Sequence, residues 1–177
     1  MKMILETERL QLREMTPADA PLVLEILNEP AFIEFVADRG VRTVADAAKF
    51  IEEKFLPSYA EHGFGFYAVE LKETGTPVGM CGLIKRDMLE DVDIGFSIFE
   101  RFWGCGYATE AARALMQHGL TTLGLPRIVG VTAPHNERSA AVLEKLGLRF
   151  EKMIEMPGYT HSQTRLFTSA GGLPAVV

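Results

Sequence analysis

Apolar residues recur along this chain with two periods, and the switches between those periods mark out its elements. Residues 9–15 alternate, Leu10 and Leu12 on one side against Arg9, Gln11 and Arg13 on the other, which predicts a half-buried first strand. The period then lengthens to three and four. Thr16 as N-cap, Pro17 in the first turn and a stripe of Leu22, Val23, Ile26 and Leu27 predict a helix that Asn28 and Pro30 stop. A second helix is expected over residues 43–59, with Val44, Ala47, Ala48, Ile51, Phe55 and Leu56 as its stripe and Pro57 ending or kinking it. Residues 31–42, which carry Phe32, Phe35 and Val36, are expected to be irregular.

From Phe64 onward the pattern is that of strands. Residues 66–71 and 78–84 flank Glu73-Thr74-Gly75-Thr76-Pro77 and read as an antiparallel hairpin. Residues 94–99 are apolar except for Gly95 and Ser97 and predict a buried central strand. A long helix follows, and residues 127–132 should return beside the central strand as a parallel neighbour, because a helix connects the two. Residues 148–156 and 163–168 close the sheet. The expected fold is α/β (α+β), a mixed, mostly antiparallel sheet of about six or seven strands with helices on both faces. Residues 1–170 are read as one domain and residues 171–177 as a loose tail.

Composition narrows the class. The 177 residues, 47% of them hydrophobic, suffice for one compact core and are too few for two full domains. Eighteen basic against twenty-four acidic residues give a formal charge of −6, which disfavours a nucleic-acid surface and suits a cationic substrate better. The lack of a long apolar run and the early charges of the N-terminus lead to the expectation of a soluble cytoplasmic protein without a membrane partner. Cys81 on a strand and Cys105 in a loop read as reduced thiols, and no metal-ligand set stands out.

The chemistry concentrates between residues 93 and 117. There a strand runs into a glycine turn, Gly104-Cys105-Gly106, and then into the helix formers Ala108, Thr109, Glu110, Ala111 and Ala112. Such a turn aims unpaired backbone N–H groups and the positive end of a helix dipole at one point, and glycine lets an anion come close. The natural guest is a pyrophosphate. No Lys-Ser or Lys-Thr follows the glycines, which excludes a P-loop, and the spacing fails the GxGxxG dinucleotide pattern.

Arg101-Phe102-Trp103-Gly104-Cys105-Gly106 resembles the coenzyme A pyrophosphate loop of the Gcn5-related N-acetyltransferase (GNAT) superfamily. Asn136-Glu137-Arg138-Ser139, with Lys145 and Gly147 further along, is similar to the second signature of that superfamily. Thr7-Glu8-Arg9-Leu10-Gln11-Leu12-Arg13 with Asp19 resembles the opening of its ribosomal-protein N-terminal acetyltransferase (RimJ/RimL-like) branch. The resemblance implies the acetyltransferase fold and acetyl-CoA as cosubstrate. It implies that the central strand splays from its parallel neighbour, so that backbone groups around Phe96, Ser97 and Ile98 pair with the pantetheine arm. The pyrophosphate would rest on Trp103, Gly104, Cys105, Gly106, Tyr107, Ala108 and Thr109, with Arg101 either adding charge or standing as a surface arginine. Asn136 would contact the cofactor and cap its helix.

One departure stands out. The tyrosine that in many members protonates the leaving thiolate is here Leu143, and Ser139 is the substitute acid. Asp93 is the first candidate for the base, with Glu70 and Asp91 as competitors. A covalent scheme through Cys105 is disfavoured because no histidine has a matching spacing. The expected reaction is direct attack on acetyl-CoA by a primary amine, either a protein N-terminus or a small molecule. The rival is a non-catalytic acyl-CoA-binding module, and the chain would be a monomer or a homodimer.

Overall fold

The computed structural model describes residues 2–169, so the expected tail at 171–177 lies outside the described residues. Eight strands form one sheet: β1 (Met3–Glu6), β2 (Leu10–Glu14), β3 (Phe66–Leu71), β4 (Pro77–Ile84), β5 (Val92–Ile98), β6 (Ile128–Thr132), β7 (Arg149–Glu155) and β8 (Gln163–Thr168). Their order is β1-β2-β3-β4-β5-β6-β8-β7, and every neighbouring pair is antiparallel except β5 with β6. The count is slightly above the six or seven expected. The strand not foreseen is β1, a short edge segment that packs only one side and so lacks a clear alternation.

Three further departures have local causes. Residues 30–42 are not wholly irregular: α2 (Pro30–Phe35) follows α1 (Ala20–Asn28), because Pro30 takes a first-turn position where its missing N–H costs nothing. The helix expected over residues 43–59 is α3 (Val44–Phe50), a π segment (Ile51–Phe55) and α4 (Leu56–His62) in succession. The widened turn precedes Pro57, whose ring would collide with the Glu53 carbonyl in a regular helix. Thr43 and Asp46 close a capping box at the start of α3, each side chain accepting the other's backbone N–H at 3.0 and 3.1 Å. The third departure is a 3-10 turn, Pro17–Asp19, which precedes α1.

The two-residue period of the strands sends alternate side chains into two cores. Val69, Cys81, Leu83 and Ile94 pack beneath α5 (Tyr107–Thr121) and α6 (Glu137–Lys145). Ala68, Met80 and Phe99 pack on the other face against Val23, Ile26 and Ile51 of the α1–α4 layer. Among the described residues, no helix is long and apolar enough to cross a membrane.

What positions the site is the seam between β5 and β6. Their parallel pairing lasts only for Val92 with Ile128 and Asp93 with Val129, after which β6 turns to β8 through Gly130, Val131 and Thr132. Beyond Asp93 the two strands part. The Phe99 N–H bonds back to Val78 on β4, so strand alternation turns the N–H and C=O of Phe96 and Ile98 away from β4 and into the gap.

Candidate active site

Two hollows meet at that gap. The larger is an open cleft of about 790 Å³ between the β5–α5 loop and the start of α6. The smaller is a cavity of about 130 Å³ running along β5 beneath the α1–α4 layer. Phe96, Ser97, Asn136 and Ser139 line both, as do Phe32, Phe35 and Val36 of α2 and its C-terminal cap. A group entering along the cleft and one held in the cavity therefore meet at these residues.

The floor of the cleft follows from its glycines. Gly104 and Gly106 have φ of 79° and 82°, a region closed to other residues without strain, and Gly106 is the N-cap of α5. The first backbone bond of α5 runs from Glu110 N–H to Gly106 C=O, so the N–H groups of Tyr107, Ala108 and Thr109 have no partner within the helix. All three residues line the cleft, together with Trp103, Gly104 and Gly106. Fifteen residues of aligned peptide dipoles stand behind those donors. Trp103 donates its Nε1–H to the Ile98 carbonyl at 2.9 Å, and the Arg138 guanidinium lies 4.2 Å from the Trp103 ring, tying the loop to α6. Ile98 lines the cleft too, with its carbonyl already engaged.

Two loop residues face elsewhere. Arg101 pairs with Glu25 of α1, its guanidinium lying over the rings of Phe99 and Phe102, and Cys105 is exposed outside the cleft lining. Arg101 thus has the place of the surface arginine. The cation that does hold the loop was not foreseen in that role. Arg9 donates Nη1–H to the Cys105 carbonyl at 2.9 Å and Nε–H to Glu110 Oε2 at 2.7 Å, while Glu110 Oε1 also accepts from Thr7 Oγ1 at 2.6 Å. Burial alone would raise the Glu110 carboxyl, but the Thr7 and Arg9 donors outweigh it and hold it below its ordinary value. Its sequence signal was the Thr7-Glu8-Arg9 opening, whose purpose shows only when α5 comes to rest beside it.

At the junction, Asn136 caps α6 by accepting the Ser139 N–H at Oδ1 (3.2 Å) and donates its Nδ2–H to Ser139 Oγ (2.9 Å). The first contact fixes which end of the amide is oxygen. The second occupies a lone pair of Ser139 Oγ, so the hydroxyl proton is free to point into the junction. Leu143, which stands where the tyrosine was sought, is 1% exposed and packed over Gly130 in the core.

Of the three carboxylates considered as base, only Asp93 reaches a hollow. It is 1% exposed, lines the far end of the cavity and accepts from Arg86 Nε at 3.0 Å. Burial pushes its carboxyl up and Arg86 opposes the shift. Three to four strand residues separate it from Phe96 and Ser97, a distance of about 10–13 Å. Glu70 is bound to Arg13 on the neighbouring strand, and Asp91 to Arg127. Cys81 is fully buried, and burial pushes its thiol up to about 12, which leaves it inert at neutral pH. Among the described residues, no three His, Cys, Asp or Glu side chains could hold a metal ion.

A splayed parallel pair beside a glycine-capped helix, with a smaller cavity that meets the cleft at β5, suits an enzyme that brings an extended pyrophosphate-bearing donor to a second, smaller substrate. Residues 9–149 match the acetyltransferase (GNAT) domain, and the chain belongs to that family. It is an acetyl-CoA-dependent N-acetyltransferase. It is 29% identical over 154 residues to the uncharacterised N-acetyltransferase p20 of Bacillus licheniformis, with 85% of this chain and 84% of that one covered. Among solved structures, it is similar to an acetyltransferase from Agrobacterium tumefaciens strain C58 (TM-score 0.76, 27% identity, 95% and 94% coverage). The fold is also shared with the ribosomal-protein-S5-alanine acetyltransferase of Vibrio fischeri (TM-score 0.74, 19% identity, 96% and 98% coverage).

Proposed function

We propose that the enzyme acetylates a primary amine seated in the 130 Å³ cavity, by direct attack within a ternary complex, with Ser139 as the general acid. The observation that carries this reading is that the two hollows share one junction, lined by Phe96, Ser97, Asn136 and Ser139. Acetyl-CoA supplies an activated acyl group on sulfur. The residues present fit it: the free N–H groups of Tyr107, Ala108 and Thr109 suit a pyrophosphate, and the unpaired strand groups of β5 suit an amide-bearing arm.

The Phe96 N–H, turned into the gap, donates to the thioester carbonyl oxygen as negative charge builds there. The amine nitrogen forms its bond to the carbonyl carbon, the carbon–sulfur bond breaks, and the surplus amine proton passes to water. Ser139 Oγ–H protonates the departing sulfur, and solvent restores its proton. Asn136 is a positioning residue that keeps the hydroxyl proton available by filling the Oγ lone pair.

Ser139→Ala tests the assignment. Turnover at saturating substrate should fall by about 100-fold while acetyl-CoA affinity, by titration calorimetry, stays within about threefold. Ser139→Cys should recover part of the loss. Wild-type turnover in Ser139→Ala removes Ser139 as the acid, and no turnover of any amine by wild-type enzyme that binds acetyl-CoA removes the reading.

A further inference from the structure

Asp93, Tyr159 and Thr164 line the far end of the cavity; Asp93 Oδ1 and Thr164 Oγ1 are buried with no hydrogen-bond partner among the described residues, and the buried Tyr159 hydroxyl has only the neighbouring Arg86 and Arg39 guanidinium groups beside it. Asp93 and Thr164 are 1% and 3% exposed. Unsatisfied buried polar groups are rare, and these three side chains, which line one hollow, mark a place where a bound group can meet them. They come from β5, β8 and the β7–β8 loop, which is pinned over the cavity by Thr160: its N–H bonds to Val36 C=O at 2.8 Å and its Oγ1–H to Ile33 C=O at 2.6 Å. The middle of the cavity is apolar, walled by Phe32, Phe50, Phe55, Phe66 and Met80. A hollow of similar size lined by apolar side chains accommodates a benzene ring.

We infer that the acceptor is a primary amine on a compact apolar body, about the size of one ring, that ends in a neutral group able both to donate and to accept a hydrogen bond. This inference rests on the acetyl-transfer reading of the same site and specifies its substrate. The charges at the far end decide the nature of the tail. The Arg86 guanidinium is bound to Asp93 and lies 5.3 Å from the Tyr159 ring, and that of Arg39 lies 5.6 Å from the same ring. A second ammonium would meet two guanidinium groups against one carboxylate, and a carboxylate tail would meet the bare Asp93 Oδ1. A hydroxyl, a phenol or a carboxamide donates to Oδ1 and accepts from Tyr159 or Thr164, adding no charge of either sign to the site. Asp93 stands about 10–13 Å from the junction, at the opposite end of the acceptor from the reacting nitrogen.

The test uses one scaffold with different tails. Purified enzyme is assayed by thiol release with acetyl-CoA and phenethylamine, tyramine or 4-(2-aminoethyl)benzoate, and with short peptides beginning in phenylalanine or tyrosine. The hydroxyl should raise kcat/KM by about tenfold or more over hydrogen, and the carboxylate should fall below hydrogen. In Tyr159→Phe and Thr164→Val, both close in shape to the native residues, the hydroxyl-to-hydrogen ratio should drop towards one. If the tyrosine peptide, and not tyramine, shows the preference, the same chemistry is being read on a chain N-terminus. Equal rates for tyramine and phenethylamine, or a hydroxyl preference unchanged in both variants, overturns the inference while leaving acetyl transfer intact. Failure of all these amines while an unrelated amine is turned over overturns it as well.

Discussion

Gly106→Ala separates the backbone of the cofactor loop from its side chains. Gly106 has φ of 82°, and a side chain there costs about 1–2 kcal/mol if the backbone keeps its course. The added methyl meets only Arg9 Nη2, at 3.4 Å, so steric exclusion is not the source of the effect. The loop can escape the strain by rotating out of the left-handed region, and the N–H groups of Tyr107, Ala108 and Thr109 then no longer converge. Each bond from such an N–H to a charged oxygen contributes about 1.5–3 kcal/mol, so loss of one weakens binding by about 10- to 150-fold. Gly75, with φ of 73° in the β3–β4 turn and open space around it, supplies the control. In thermal melts both alanine variants should lose about 2–8 °C, at about 2–4 °C per kcal/mol for a domain of this size. By calorimetry only Gly106→Ala should lose acetyl-CoA affinity, by at least about tenfold. If Gly106→Ala binds acetyl-CoA as Gly75→Ala does, the helix N-terminus is not the anion cradle.

Two other predictions follow from the charged pairs. Arg9→Ala removes the brace between the loop and Glu110; because the pair is partly exposed, the melting temperature should change little, whereas KM for acetyl-CoA should rise about three- to tenfold with kcat preserved. A fall in kcat at unchanged KM would contradict a positioning role. Burial would raise the Asp19 carboxyl, but Arg13, donating to both its oxygens at 2.9 and 2.8 Å, and the Thr16 N–H hold it below 3.8. Its stabilising contribution is therefore complete above about pH 5 and is lost as the pH falls through 3.8 towards the depressed value. The gap in melting temperature between wild type and Asp19→Asn should accordingly shrink between pH 5 and pH 3, and a gap independent of pH would refute the linkage.

Much of this protein was legible along the chain because the relevant physics is local. Alternation identified β2, turn chemistry identified the β3–β4 hairpin, the Gly-x-Gly turn before a helical run identified the glycine-capped start of α5, and Asn136 three residues before Ser139 identified a cap. Each depends on contacts a few residues apart. Tertiary structure alone decided the rest. Arg101 is the cation beside the loop in sequence, yet Glu25 draws it away, and Glu110, about a hundred positions from Arg9, holds Arg9 against the loop in its place. Asp93, Tyr159 and Thr164 belong to distant segments with no shared motif, and only the splay of β5 from β6 and the pinning of the β7–β8 loop bring them to one cavity. A residue's period shows that it is turned inward; which distant groups it meets there depends on strand order, and adjacent positions in the sequence do not encode that order.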